Sequence, residues 1–204
     1  MKVANRIFLV LLLVLLGSCG GEFIPDPIDP RLPKYTEEGN DAAGAFINEK
    51  IWKSVVSVDF MSVGDQPYIT LFTAKDSLTI LFEGNSSVYR YIEFRLSGLS
   101  IYRFEDLQLL NNKKIFLDGK KSSGVCHRNY CPPYESGYYS TGCPETGISG
   151  QLYIKNVAMR DSLTQAILSG TFGFTFNDPV SGINEVSYGR FDYRFGKGSN
   201  FIVN

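Results

Sequence analysis

Residues 168–176 read LSGTFGFTF, and this stretch decides the class of fold that the sequence predicts. Leucine, glycine and phenylalanine occupy every second position, and serine, threonine or glycine occupies the positions between them. Successive side chains of a β-strand point to opposite faces of the sheet, so this alternation predicts a strand with one buried face. The residues on that face would be Leu168, Gly170, Phe172, Phe174 and Phe176.

The same period of two recurs elsewhere in the chain. Gly189, Phe191, Tyr193 and Phe195 share one face of a later strand, and Val88, Ile92, Phe94 and Leu96 share one face of an earlier strand, opposite Tyr89, Tyr91, Glu93 and Arg95. Further strands are expected at 45–47, 52–62, 68–74, 78–82 and 151–157, with turns at 74–77, 83–85 and 160–162. About eight one-sided strands predict a single antiparallel β-sandwich or barrel over residues 40–204. Alternation alone does not separate these two forms.

The composition agrees with a folded domain and excludes two classes of protein. The 204 residues include 20 Lys or Arg and 21 Asp or Glu, so the formal net charge is −1, and 44% are hydrophobic. This apolar content excludes a disordered chain. Nucleic-acid-binding proteins need an excess of positive charge, so nucleic acid is not an expected partner.

The first 19 residues have the pattern of a bacterial lipoprotein signal peptide. Lys2 and Arg6 precede an unbroken apolar run at 7–16. Ten residues in a helix rise only about 15 Å, which is too short for a membrane span and predicts a signal peptide at 1–18. The run ends in Leu16-Gly17-Ser18-Cys19, which looks like a lipobox, whose cysteine is acylated and becomes the mature N-terminus. The alternative is an ordinary cleavage site in which Cys19 is incidental.

Cys19 is therefore the predicted lipid anchor, because more than one acyl chain holds a protein on a membrane durably. We expect an outer-membrane lipoprotein, and the sequence leaves open whether it faces the periplasm or the exterior. Residues 19–39 contain prolines at 25, 27, 30 and 33 and form the predicted tether. Proline restricts itself and the residue before it to extended conformations, so the tether is either a semi-rigid spacer or a plain disordered linker.

Three short segments resemble an uncharacterised family of small β-rich lipoproteins from Bacteroidota. They are the hairpin Phe46-Ile47-Asn48-Glu49-Lys50-Ile51-Trp52, the strand at 168–174 and the ending Gly189-Arg190-Phe191-Asp192. The resemblance covers residues 44–195 and implies one β-rich domain behind a lipobox, with no activity or catalytic residues to carry over. Members tend to have Asn-Gly in the first hairpin, where this chain has Asn48-Glu49. A type I′ turn needs positive φ at both positions, so the exact turn is left open.

Three cysteines lie in the passage 126–143, which is rich in Gly, Pro, Ser and Tyr and is expected to be a long loop. Outside the cytoplasm clustered cysteines usually form disulfides, so Cys126, Cys131 and Cys143 are disulfide candidates. The pairings 126–131, 126–143 and 131–143 are open, and those with Cys143 are favoured because a larger loop constrains the unfolded chain more. One alternative is free or mixed thiols. The other is a zinc site that combines these cysteines with His127, although neighbours such as Cys126 and His127 seldom ligate one zinc ion. No cofactor is expected.

Four tyrosines lie in the same passage: Tyr130, Tyr134, Tyr138 and Tyr139. A tyrosine combines a flat apolar ring with a hydroxyl, which suits stacking on a sugar ring or packing in a protein interface. These tyrosines are therefore the candidate ligand-binding residues. Ordinary packing over one end of the sheet is the alternative.

The sequence offers little catalytic chemistry. His127 is the single histidine, no Gly-x-Ser-x-Gly motif occurs, and Gly196-Lys197-Gly198-Ser199 lacks the spacing of a phosphate loop. A glycosidase acid and nucleophile would have to come from carboxylates such as Asp59, Glu93, Asp178 and Asp192. Two carboxylates occur on almost every β domain, so an enzyme is not expected.

We expect instead a non-catalytic binding or assembly module of the cell envelope, which engages an extracellular glycan or another envelope protein through one end of its sheet. The alternatives are a carboxylate-dependent polysaccharide hydrolase and a purely structural envelope component. Two triplets, Asp76-Ser77-Leu78 and Asp161-Ser162-Leu163, resemble the acceptor of protein O-glycosylation in Bacteroidota, although Asp-Ser is also common at turns.

Overall fold

The computed structural model describes residues 29–54, 69–128, 146–178, 180–198 and 200–203. Within these ranges the chain forms eleven strands and two short 3-10 helices, at Phe104–Leu110 and Asp161–Leu163. The strands are β1 (Ala42–Ile47), β2 (Lys50–Ser54), β3 (Ile69–Ala74), β4 (Ser77–Asn85), β5 (Tyr89–Ser97), β6 (Lys113–Leu117), β7 (Ser122–Arg128), β8 (Thr146–Arg160), β9 (Gln165–Asp178), β10 (Gly182–Gly196) and β11 (Phe201–Val203). In this part of the chain, no helix has the length and apolar character needed to cross a membrane.

The described strands form one curled sheet, a half-barrel, in the order β11-β3-β4-β2-β1-β10-β9-β8-β6. Strand β5 lies between β4 and β7. The sheet has two wings: one contains β11, β3, β4, β5 and β7, and the other contains β2, β1, β10, β9, β8 and β6. The end of β4 also pairs with β2, and this pairing joins the two wings. Among the described pairs, β11 with β3 is parallel and the others are antiparallel. The predicted all-β fold is confirmed, with eleven described strands where the alternation predicts about eight.

A core of aromatic rings fills the space between the two wings. Phe82 of β4 stacks on Tyr193 of β10 with the ring centroids 5.4 Å apart, and Phe94 of β5 meets Phe172 of β9 edge-on at 5.2 Å. Such pairs add to the free energy that is gained by burying the rings. The apolar faces predicted for β9 and β10 line this core, so these two predictions are confirmed.

Strand β7 extends through Cys126, His127 and Arg128, so the loop that the sequence predicts from Cys126 begins after Arg128. The core-facing residues of β7 are small. A Cβ placed on Gly124 would come within 3.0 Å of the Phe174 ring, which fills the space beneath this strand. Small inward residues give no apolar alternation, and this is why the sequence does not reveal the strand.

Strand β5 contains a bulge that moves Tyr89 to the core face of the sheet. Tyr89 pairs with Arg128 and Tyr91 pairs with His127, so β5 has one extra residue between these two pairs. One extra residue reverses the alternation beyond it. Tyr89 is therefore buried against Phe176, and its predicted place on the outer face of the strand is wrong.

The turn between β1 and β2 has the geometry that the sequence leaves open. Asn48 and Glu49 both have positive φ, 47° and 66°, as a type I′ turn requires. The side-chain oxygen of Asn48 accepts a hydrogen bond from the amide of Glu185 on β10 at 2.8 Å, which helps to hold the turn.

The turn predicted at 83–85 is wrong, because β4 continues through these residues and the chain turns just after them.

The residues before β1 lie across the outer face of β1 and β10, and we call residues 31–41 the N-terminal strap. Leu32 is buried there, with 5% of its surface exposed. Pro33 lies so close to Gly44 of β1 that a Cβ on Gly44 would approach it to 2.5 Å. The last part of the predicted tether therefore packs on the β domain.

Candidate functional site

Three turns and the end of β7 meet at one end of the sheet, which we call the pocket end. They are the β1–β2, β4–β5 and β9–β10 turns, and between them lies a pocket of about 110 Å³. Antiparallel pairing brings alternate turns to the same end of a sheet, so the topology gathers segments that are distant in sequence. The lining residues are Ile47, Asn48, Lys50, Ser86, Ser87, Val88, Tyr89, Arg128, Ser181 and Asn184.

Asn184 of β10 is the centre of the hydrogen bonds at the pocket. It is 1% exposed, and its side-chain nitrogen donates to the carbonyl of Gly182 at 2.7 Å. Its side-chain oxygen accepts from the side-chain nitrogen of Asn48 at 2.6 Å and lies 3.3 Å from the hydroxyl of Tyr89. These bonds join the β1–β2 turn, the β9–β10 turn and β5. A buried amide with its partners satisfied holds the pocket walls in one arrangement.

A buried ion pair forms a second part of the pocket wall. The Nε of Arg128 donates to Oδ2 of Asp178, and the hydroxyl of Tyr89 lies 3.2 Å from the same oxygen. The other carboxylate oxygen accepts from the amides of Val180 and Ser181 at 2.7 and 3.1 Å. Burial raises the pKa of Asp178, but the bonds from Arg128 and the two amides outweigh it, so this pKa lies below its usual value. The pair is therefore charged at neutral pH.

Most of the surface inside the pocket is apolar. Ile47 and Val88 contribute apolar surface, whereas Lys50, Ser86 and Ser87 contribute hydrogen-bonding groups. Pockets for whole drug-sized ligands measure roughly 300–1,000 Å³. A pocket of about 110 Å³ therefore takes part of a ligand, such as one ring of a longer molecule.

The cysteine and tyrosine passage joins the described fold at this same end. Strand β7 ends at Arg128, and β8 begins at Thr146, whose backbone pairs with Asn177 beside Asp178. Residues 129–145 connect these two strands. Several predicted site residues lie outside the described residues, so the predictions made for them stay predictions; they are Cys19, Tyr130, Cys131, Tyr134, Tyr138, Tyr139 and Cys143.

Cys126 and His127 lie on opposite faces of β7. Cys126 faces the core and is 1% exposed, whereas the Nε2 of His127 lies 2.6 Å from a carboxylate oxygen of Glu93 on the outer face. Neighbouring residues of a strand point in opposite directions, so these two cannot ligate one metal ion, and the zinc site that combines them is excluded. Among the described residues, no group of three or more His, Cys, Asp or Glu side chains could hold a metal ion.

The candidate carboxylates have separate partners. Burial raises the pKa of Glu93, but hydrogen bonds from His127 and Arg95 outweigh it and lower this pKa to about 2. Asp192 is buried beneath the N-terminal strap and accepts hydrogen bonds from it. The general acid of a glycosidase needs a raised pKa, which is opposite to the direction found at Glu93 and at Asp178. Asp59 lies outside the described residues.

The pocket residues Asn48, Ser181 and Asn184 carry no pattern that marks them as site residues in the sequence. Each lies in or beside a hairpin turn, where Asn and Ser are expected for local reasons. The hairpin motif that contains Asn48 indicates a turn at this position. It does not indicate the site, because β10, the strand that pairs with β1, lies more than a hundred residues further along the chain. Alternation within each strand does not say which distant strands pair.

The two possible O-glycosylation triplets both lie at turns. Ser77 is half-buried and donates to the carbonyl of Ala74 at 2.7 Å, whereas Ser162 is exposed in the second 3-10 helix. Ser162 is therefore the more accessible of these two hydroxyls, and its glycosylation stays a prediction.

Comparisons of this chain with protein-family models, with curated proteins and with solved structures give no match.

Proposed function

We propose that this protein is a lipid-anchored, non-catalytic binding module of the cell envelope, which takes part of a glycan into the pocket at its pocket end. Cys19 would carry the acyl chains that hold it on the outer membrane. The resemblance to small β-rich lipoproteins of Bacteroidota supports this placement. The binding proposal is carried by one observation, a mainly apolar pocket with polar groups at its rim, whose walls are fixed by Asn184 and by the Arg128–Asp178 pair.

The pocket walls are held in place without any ligand. Asn184 is bonded to both neighbouring turns, and Tyr89 lies within hydrogen-bond distance of Asn184 and Asp178. Groups that are already fixed lose little conformational entropy when a ligand binds. Asn48, Lys50 and Ser87 are exposed at the rim, where their polar groups can meet the hydroxyls of a sugar.

The charge of Arg128 is balanced within the wall, because its guanidinium is paired with Asp178. Asp178 itself is 2% exposed, so the exposed charged group of the lining is Lys50 at the rim. A glycan presents hydroxyls and apolar ring faces, and both have partners among the lining residues.

A non-catalytic role is supported by the state of the described carboxylates. Glu93 and Asp178 have lowered pKa values and are ion-paired, so neither holds the proton that a general acid must donate. The hydrolase alternative would need carboxylates other than these two.

The tyrosines of residues 129–145 extend the proposed site. Their segment joins the fold at Arg128 and Thr146, beside the pocket. We propose that Tyr134 and Tyr138 stack on sugar rings that continue beyond the pocket, because a tyrosine ring offers a large apolar face at low entropic cost. A disulfide that includes Cys143 would brace the same passage.

The test is a thermal-shift screen of the chain that starts at Gly20, which contains every described residue, against soluble oligosaccharides and polysaccharides. A ligand at a hundred times its dissociation constant adds about 2.7 kcal/mol of stability, which is several degrees of melting temperature at this size. We expect a shift that Lys50→Gln together with Ser87→Ala reduces. Lys75→Gln together with Ser97→Ala, at the opposite end, is the matched control and should keep the shift. A flat panel would contradict the binding of these soluble glycans.

A protein partner is the second candidate, and the β9–β10 hairpin favours it. Ile183 is 81% exposed and Val180 is 50% exposed at its tip, beside the pocket. Apolar side chains of this kind often mark protein interaction sites. A photo-crosslinking amino acid at Ile183, used on intact cells, should then capture a partner that the same probe at Leu109 does not capture. Equal capture at both positions would contradict this candidate.

A further inference from the structure

The path of the N-terminal strap shows where the tether leaves the domain. Going backwards along the strap, Gly39 lies against Arg194, Thr36 bonds to Asp192, and the carbonyl of Pro33 accepts from Arg190 at 3.4 Å. The partners on β10 thus come in the order 194, 192 and 190. Continued along β10 in the same direction, this order leads to Asn184 in the pocket.

Contacts between the strap and β1 also show that the strap, followed backwards, leads towards the pocket end. Arg31 places its guanidinium over the ring of Phe46, 5.5 Å from the centroid, and Phe46 is followed by the pocket residues Ile47 and Asn48. The strap therefore runs antiparallel to β1 as far as Arg31, beside the pocket end. The chain turns at Asp29–Leu32, where the amide of Leu32 donates to the carbonyl of Asp29 at 3.0 Å, and the buried Leu32 holds this entry point close to Phe46.

The tether is short compared with the domain. Nine residues lie between Cys19 and Asp29, and the ten steps from one Cα atom to the next span at most about 35 Å when fully extended. The nine residues of β4, which connect the pocket end to the opposite end, rise about 30 Å. Placing the opposite end against the membrane would require the tether to run back along the whole domain at nearly full extension.

We infer that the pocket end faces the membrane that holds the anchor, and that the ligand of the pocket is a glycan displayed on that membrane, the headgroup of a glycolipid. This inference rests on the proposed glycan binding and on acylation of Cys19. A soluble polysaccharide in the surrounding medium would have to enter the space between the domain and the bilayer. A headgroup glycan is already present there at high local concentration.

The orientation is measured without any ligand, by energy transfer from the acylated protein to acceptor lipids in a vesicle. The same donor dye is attached through an azide-bearing amino acid at Glu49 or at Lys75. These are exposed, positive-φ residues of two tight turns at opposite ends of the domain. We expect clearly stronger transfer from position 49 than from position 75. Equal or stronger transfer from position 75, or a protein that does not float with vesicles, would overturn the inference.

The ligand class is measured separately, with the chain that starts at Gly20 and vesicles that contain purified lipopolysaccharide. We expect at least tenfold weaker capture by the variant Lys50→Gln with Ser87→Ala than by the unchanged chain. Vesicles without lipopolysaccharide should capture neither. If soluble oligosaccharides bind the pocket but these vesicles do not, the glycolipid inference fails while the proposed function stands. If no glycan binds in either form, the proposed function itself fails.

Discussion

The carboxylate of Asp192 on β10 accepts a hydrogen bond from the hydroxyl of Thr36 in the N-terminal strap. The amides of Glu38, Gly39 and Asn40 donate to the same carboxylate at 3.2, 2.9 and 3.1 Å. Asp192 is only 2% exposed, because the strap covers its carboxylate on the outer face of β10. This contact holds the strap on β10, and the strap then leads back to Arg31, which lies over Phe46 beside the pocket end.

Asp192→Asn should destabilise the fold, because an amide in place of the carboxylate removes the charge and gives the backbone amides of the strap one acceptor oxygen instead of two. Hydrogen bonds to a charged group are worth about 1.5–3 kcal/mol, and we expect a loss in this range. Urea denaturation measures it. The exposed Asp161→Asn is the control and should change stability by no more than about 0.5 kcal/mol. Equal effects of the two substitutions would show that the strap is not held by this carboxylate.

Stability should fall at acid pH in part through Glu93. Its pKa is about 2 in the folded chain against an ordinary value of 4.5. A group with a lowered folded pKa contributes stability above the ordinary value and loses it as the pH falls towards the folded value. Wild type should therefore lose on the order of 3 kcal/mol more than Glu93→Gln between pH 5 and pH 2. Parallel pH profiles of the two proteins would refute the role of the Glu93–His127–Arg95 contacts.

Gly189→Ala should destabilise the core. A Cβ at Gly189 would lie 2.3 Å from the ring of Phe172, which cannot move without disturbing the aromatic core. Overpacking of this kind costs about 1–3 kcal/mol. Gly198→Ala is the matched control, because nothing lies within 4 Å of a Cβ there. Thermal unfolding of both variants tests this. A Gly189→Ala protein as stable as Gly198→Ala would contradict the close contact between Gly189 on β10 and Phe172 on β9.

Tyr89→Phe should weaken the pocket wall. The change removes the hydroxyl that lies between Asp178 and Asn184, and leaves those buried groups with fewer partners. We expect a loss of about 1–2 kcal/mol and weaker ligand binding. Tyr102→Phe is the control, because its hydroxyl bonds to the exposed Asp76. Hydrogen exchange at the amides of Ser181 and Gly182 reports the wall directly, and unchanged exchange in Tyr89→Phe would count against this role.

The sequence predicts the parts of the fold that depend on alternation within one strand. The apolar faces of β9 and β10 are visible because phenylalanines there occupy every second position. Strand β7 is not visible, because its inward residues Gly124 and Cys126 are small, and the ring of Phe174 fills the space beneath Gly124. The bulge in β5 is equally hidden, since nothing local marks the extra residue that turns Tyr89 inward.

The candidate site is predictable only in its general location. The loop at 126–143 indicates one end of the sheet, and the structure places a pocket where that segment joins the fold. The pocket depends on the pairing of β1 with β10, which brings Asn48 to Asn184 across 136 residues. Contacts at this separation follow from the whole sheet order and leave no local pattern in the sequence.

Glycan binding in the pocket is tested most directly by titrating a glycan from the thermal-shift screen into isotope-labelled protein and following the amide NMR signals. We expect shifts at Asn48, Ser87 and Ser181, with little change at Lys75 and Asp76 at the opposite end. Shifts confined to residues away from the pocket end, or no shifts at saturating glycan, would contradict it.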